Sequence, residues 1–167
     1  GTGLTATATA TFFVQEAVPV AVNIDVFHDI APNANSLGDG IRQANEVGYA
    51  NVEISITGHD FKGVLVDLRD TNGQRFRTGA DGKLNIPRLL PGTYRVQEIQ
   101  PAMIQDSNDS SPDIRTTDTV VRKAGNDGFD LVIPTVPAPN ADLVIDLFFG
   151  ELAMESQYRT LLDNLVS

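Results

Sequence analysis

From residue 50 onward the chain repeats one device: a short run rich in β-branched and aromatic residues, then a turn-forming cluster, then another run. The runs are Val52 to Ile56, Val64 to Leu68, Gln74 to Thr78, Lys83 to Ile86 and Thr93 to Ile99. Thr71-Asn72-Gly73, Ala80-Asp81-Gly82 and Leu90-Pro91-Gly92 separate them, each supplying a residue that tolerates positive φ or a proline with φ preset for a turn. Short strands at this spacing predict a β-sandwich. Residues 105–118, dominated by Asp, Ser, Asn and Thr, read as a loop. Thr119 to Arg122, Gly128 to Ile133 and Ala141 to Phe149 supply closing strands, and Pro134, Pro137 and Pro139 mark an edge or a crossover between them.

The ends differ from this middle. Leu4, Ala6, Ala8, Ala10, Phe12 and Val14 alternate with Thr5, Thr7, Thr9 and Thr11, the period of two of a strand with one small apolar face. A second run, Val20 to Phe27, places Val22, Ile24 and Val26 on one face, but no two-residue turn joins it to the first. The first strand therefore pairs either within its own sandwich or with the open sheet edge of a neighbouring subunit. After Gly150, Leu152, Tyr158, Leu161, Leu162 and Leu165 recur at partly helical spacing with no Pro or Gly between them, which predicts a terminal helix. The expected organisation is an N-terminal strand extension over residues 1–20, a sandwich domain over 21–151 and a helical tail over 152–167. The fold class is all-β, a Greek-key sandwich of immunoglobulin or prealbumin type.

A chain of 167 residues with 41% hydrophobic and 20% charged residues has the length and composition of one well-packed domain. Its formal charge of -10 opposes binding to a nucleic-acid backbone and suits cations. With no cysteine, the chain has no disulfide framework, no zinc-thiolate site and no cysteine nucleophile, so any cross-brace comes from packing or from a metal held by oxygens. No apolar stretch approaches the roughly 20 residues that span a bilayer, so membrane insertion is not expected. No signal peptide precedes the first strand, and a start at Gly1 is what a processed or excised chain would have.

Asp39-Gly40 followed by Glu46 matches the second half of an EF-hand-type calcium loop, in which a glycine makes the sharp turn and a glutamate six residues on binds the metal through both oxygens. The first half is absent, because Leu37 falls at a ligand position and cannot bind a hard cation. The same residues also suit a solvated polar loop in which Gly40 and Gly48 serve only as turns. The imidazoles are His28, at a strand end, and His59, placed in a turn; neither lies in a nucleophile or zinc-ligand motif, so no enzymatic activity is expected. The acidic runs 106–113 and 126–130 read as solvated loops rather than a second cation site.

The order of these pieces resembles the B-type repeat domains of serine-aspartate-repeat bacterial surface adhesins, related to collagen-adhesin B and transthyretin-like sandwiches. The resemblance runs over roughly residues 22–151, a span of domain size. It rests on Asp39-Gly40-Ile41 through Glu46 and Gly48, on Thr57-Gly58-His59-Asp60, and on Leu89-Leu90-Pro91-Gly92-Thr93-Tyr94-Arg95-Val96-Gln97-Glu98. Gln105-Asp106-Ser107-Asn108-Asp109 and Phe148-Phe149-Gly150-Glu151 complete it. The resemblance implies a non-catalytic extracellular module that binds calcium and serves as a stalk, spacer or assembly unit. It also implies a ligand set drawn from Asp29, Asp39, Gln43 and Glu46 with the Ile41 carbonyl, Asp29 folding back across an enlarged loop and Gln43 standing where the family carries an aspartate.

Related sandwiches can form a lysine–asparagine isopeptide bond assisted by a buried acid, and Glu98 sits where the resemblance would put that acid. Val22 to Phe27 carries no lysine, so the bond is not expected and Glu98 is read as a partly exposed strand residue. The expected role is a structural or adhesive module of a surface protein, filament or matrix, partnered by its own copies, by neighbouring domains or by a host or matrix ligand. A carbohydrate- or protein-recognition module of a secreted enzyme is the alternative, weakened by the lack of Trp and by only Tyr49, Tyr94 and Tyr158 as tyrosines.

Overall fold

The computed structural model describes residues 17–30, 38–111, 119–135 and 144–154. Its strands are β1 (Val20–His28), β2 (Glu53–Asp60), β3 (Leu65–Asp67), β4 (Phe76–Arg77), β5 (Lys83–Leu89), β6 (Gly92–Ile99), β7 (Ile104–Asp106), β8 (Val120–Lys123), β9 (Gly128–Ile133) and β10 (Val144–Met154). They form a four-stranded sheet in the order β5-β1-β10-β7 and a second sheet in the order β3-β2-β6-β9-β8, with β4 beside β2. The molecule is an all-β sandwich, and no helix occurs among the described residues.

The period of two explains which faces meet. Val22, Ile24 and Val26 from β1 and Ile145, Leu147 and Phe149 from β10 face Ile54, Ile56, Val96, Phe129 and Leu131 of the other sheet, all of them buried. Phe129 and Phe149 close the middle with rings edge to face, centroids 5.2 Å apart. Each such side chain contributes roughly 1.5–3 kcal/mol on burial.

The pairing that positions the site is β1 with β10, which is parallel, from Ala21 opposite Val144 to His28 opposite Glu151. It carries the end of β1, and Asp29 with it, alongside Gly150 and Glu151.

Three sequence expectations change. Residues 152–154 continue β10 instead of opening a helix, because β7 pairs with that end of the strand at Glu151 and Met154. The segment read as a loop from 105 contains most of β7, whose polar Ile-Gln-Asp sequence has no alternation to reveal it. His59 lies in β2, paired with Thr93 and Leu65, not in a turn. The alternating strand at 4–14 and the expected helix beyond Met154 lie outside the described residues.

Candidate cation site

Asp29 leaves β1 fully buried, and its carboxylate organises the loop that follows. Its Oδ2 accepts from the Gly40 N–H at 2.8 Å and from the Ser107 hydroxyl at 3.0 Å. Its own N–H donates to the Glu151 carbonyl at 2.7 Å, and its carbonyl accepts from Gly38 N–H at 3.3 Å. Gly40 has φ 72° and lies so close to Asn108 that a Cβ would come within 2.7 Å of the Asn108 carbonyl oxygen. The turn requires glycine on both counts.

Residues 39–46 fold on themselves by local hydrogen bonds. Asp39 Oδ1 accepts from Ile41 N–H at 2.8 Å, while both Asp39 oxygens accept from the Gln43 side-chain amide at 3.3 and 3.2 Å. Glu46 Oε2 accepts from Gln43 N–H at 2.7 Å, and Glu46 N–H donates to the Gln43 carbonyl at 3.1 Å. Asp29 Oδ1, Gln43 Oε1 and Glu46 Oε1 are all buried without a hydrogen-bond partner. A buried acceptor left unmatched costs about 1–3 kcal/mol, so three in one loop are an unbalanced charge and acceptor excess.

The electrostatics agree with that excess. Burial raises the Glu46 pKa, the Gln43 N–H bond opposes the rise, and the Asp29 and Asp39 carboxylates add to it. Arg42 opposes the rise least of the named causes, being engaged by Asp25 with further bonds to the Asp81 carbonyl at 3.2 Å and the Glu46 carbonyl at 3.4 Å. An open cavity of 510 Å³ lined by Asp25, Arg42, Gln43, Glu46 and Lys83 leads to the loop.

Of the expected ligands, Asp29, Gln43 and Glu46 thus offer free buried oxygens. Asp39 is committed to the turn, and Ile41 has an exposed side chain, leaving only its main-chain carbonyl to contribute. Among the described residues no three carboxylates or imidazoles gather into a ready-made metal cluster. A hard cation here would therefore draw on the Gln43 amide and main-chain oxygens as well as carboxylates, a donor set that suits calcium.

Sequence reasoning missed the floor of the site. Ser107 holds Asp29, the Asn108 amide donates to the Gly38 carbonyl, and the Ser110 hydroxyl donates to the Gly40 carbonyl. Their only signal was the polar run at 105–118, which looks like any solvated loop. Glu98 was misplaced too: it is 2% exposed, inside the sandwich beside Glu151. Gln100 donates to Glu151 Oε2 at 2.7 Å and to the Ile104 carbonyl at 3.0 Å. Burial foremost, then the charges of Glu151, Asp109 and Asp127, push Glu98 upward, and burial pushes Asp109 up to about 8. The largest charges acting on Glu98 are the carboxylates of Glu151, Asp109 and Asp127, unlike the lysine partner an isopeptide reaction needs. Searches against protein-family models and curated proteins return no match for this chain.

Proposed function

We propose that this chain is a non-catalytic extracellular structural or adhesive module of a surface protein, self-assembling filament or matrix, braced by calcium. The observation that carries the reading is the set of buried, partnerless oxygens on Asp29, Gln43 and Glu46. They belong to the loop whose Asp39-Gly40 to Glu46 spacing suits a calcium ligand set. A bound calcium ion would supply positive charge and coordination there, with Asp29, Gln43, Glu46 and the Ile41 carbonyl as donors and Asp39 holding the turn. In a chain without disulfides, tying β1 to β10 and to residues 107–110 through such a loop gives a stiff unit suited to bearing load.

Thermal unfolding and particle size, followed with calcium and then with chelator, test the reading. Calcium is expected to raise the melting temperature, since a ligand bound only to the native state stabilises it. An unchanged melting curve and size distribution would remove the calcium brace.

A further inference from the structure

The described sheets end in four outermost strands, and three of them carry the residues that ordinarily discourage strand addition. β5 has Lys83, Pro87 and Arg88; β8 has Arg122 and Lys123; β7, no longer than β3, carries the charge of Asp106, whose Oδ1 is buried with no hydrogen-bond partner. The border formed by β3 is different. Val64 to Leu68 contains neither lysine nor proline, and its one charge, Asp67, is paired with Arg69. Leu65 is 73% exposed, the highest value among the large apolar side chains described, and Phe61 and Val64 are exposed beside it. On the inner face of the same border Val66, Leu68 and Phe76 pack against the core while remaining partly uncovered. Further along, the border is guarded by Arg75 and Arg77, both paired with Glu53, which confines the bare stretch to residues 64–68.

We infer that this β3 border accepts the alternating Thr/Ala segment, residues 4–14, of a second copy of the chain as an added strand. The inference rests on the reading of the protein as a self-assembling module and names the surface by which it assembles. The segment has no charge, matching a border with no free charge. Its pattern matches both faces: Ala6, Ala8 and Ala10 would cover Val66 and Leu68, while Thr5, Thr7 and Thr9 would lie beside Leu65 and Asp67. The donor comes from another copy because β1, which follows the segment, lies between β5 and β10 inside the four-stranded sheet, whereas the bare border belongs to the other sheet. Only Gln15 to Pro19 separate the two, with Pro19 restricting the path.

The cysteine-free chain makes the test direct. Leu65→Cys protein is mixed with Thr7→Cys or Thr9→Cys protein and oxidised, cross-strand neighbours on one face lying close enough for a disulfide. A disulfide-linked heterodimer is expected, and Leu65→Lys in the intact chain is expected to abolish higher-order species by light scattering without moving the melting temperature. A closed monomer from the Leu65→Cys/Thr7→Cys double variant, with no heterodimer from the mixture, would show the strand folding onto its own chain and overturn the inference. Cross-linking to Val121→Cys on β8 in place of Leu65→Cys would overturn the choice of border. Assembly that persists in Leu65→Lys sinks this surface alone, whereas intact protein that stays monomeric sinks the self-assembly reading itself.

Discussion

Glu98 on β6 and Glu151 on β10 meet side chain to side chain across the sandwich, hydrogen-bonded to one another while both are buried. Two carboxyl groups in such contact cannot both ionise cheaply, so the pair retains a proton well above the usual carboxylate range. Burial is the first cause for each; for Glu151 the bonds from Gln100 and Glu98 oppose it.

The pair gives stability a definite pH sign. An acid whose folded-state pKa is raised contributes its full stabilisation below the unfolded value, here 4.5 for Glu98, and loses it as pH rises through the folded value. Asp109, raised from 3.8 to about 8 mainly by burial, acts in the same direction. The chelator-treated protein should therefore melt lower at about pH 9 than at about pH 5.5, each tenfold preference for the proton being worth about 1.4 kcal/mol. Glu98→Gln supplies an amide donor that needs no proton, so its melting temperature should fall less across that range. An undiminished pH slope in Glu98→Gln would show that the pair does not hold the proton.

Charge at the loop should set cation affinity. Gln43→Asp adds a carboxylate beside Asp29 and Glu46, so calcium should bind more tightly, while the chelator-treated protein should melt lower because like charges are crowded further. Glu46→Gln keeps the shape but removes charge and should weaken calcium binding about tenfold or more, read by calorimetric titration. At calcium about 100-fold above the dissociation constant, binding adds about 2.7 kcal/mol to stability, and Glu46→Gln should lose most of that gain. Equal affinity in wild type, Gln43→Asp and Glu46→Gln would place the cation elsewhere.

What could be read from sequence follows from range. The strands were legible wherever burial alternates residue by residue, as from Val20 to Ile24 and over Gly92–Ile99. The half-loop was legible because Asp39, Gly40 and Glu46 interact locally. Asp29 bonds Gly40 across eleven positions, and Ser107 bonds Asp29 across seventy-eight, distances at which spacing carries no information. Glu98 defeated the reading for a different reason. A glutamate at an inward strand position looks like a misplaced surface residue until the partner that shares its proton is known, and Glu151 lies on another sheet.

Arg42 ties the loop to strand β1 through Asp25, and both side chains are mostly buried. Burial raises the Asp25 pKa even with Arg42 and Lys83 opposing it, so the carboxylate relies on its partner. Arg42→Ala strands Asp25 and should cost about 1–3 kcal/mol. Asp25→Asn in the same chain should recover much of that loss, because the charge that needed pairing is gone. A double-mutant cycle by denaturant unfolding measures the coupling. Additive single effects would mean that the pair does not couple loop to strand.

At Gly150, β10 lies directly against Asp29 and Asn108. A Cβ there would stand 2.5 Å from the Asn108 carbonyl oxygen and 2.8 Å from Asp29 Oδ2, separations that real side chains do not reach. Gly150→Ala must therefore push the 107–110 segment off β10 or move Asp29 away from Gly40 and Ser107. Either shift disturbs the oxygens that face the loop, so the variant should lose calcium-dependent stabilisation as well as intrinsic stability. Gly63→Ala is the contrasting change: it has φ 78° with nothing within 4 Å, so it costs only backbone strain of about 1–2 kcal/mol. Melting each variant with calcium and with chelator separates the two effects. Gly63→Ala should lower both curves equally, while Gly150→Ala should bring them together; a full calcium shift surviving in Gly150→Ala would mean that β10 does not support the cation loop.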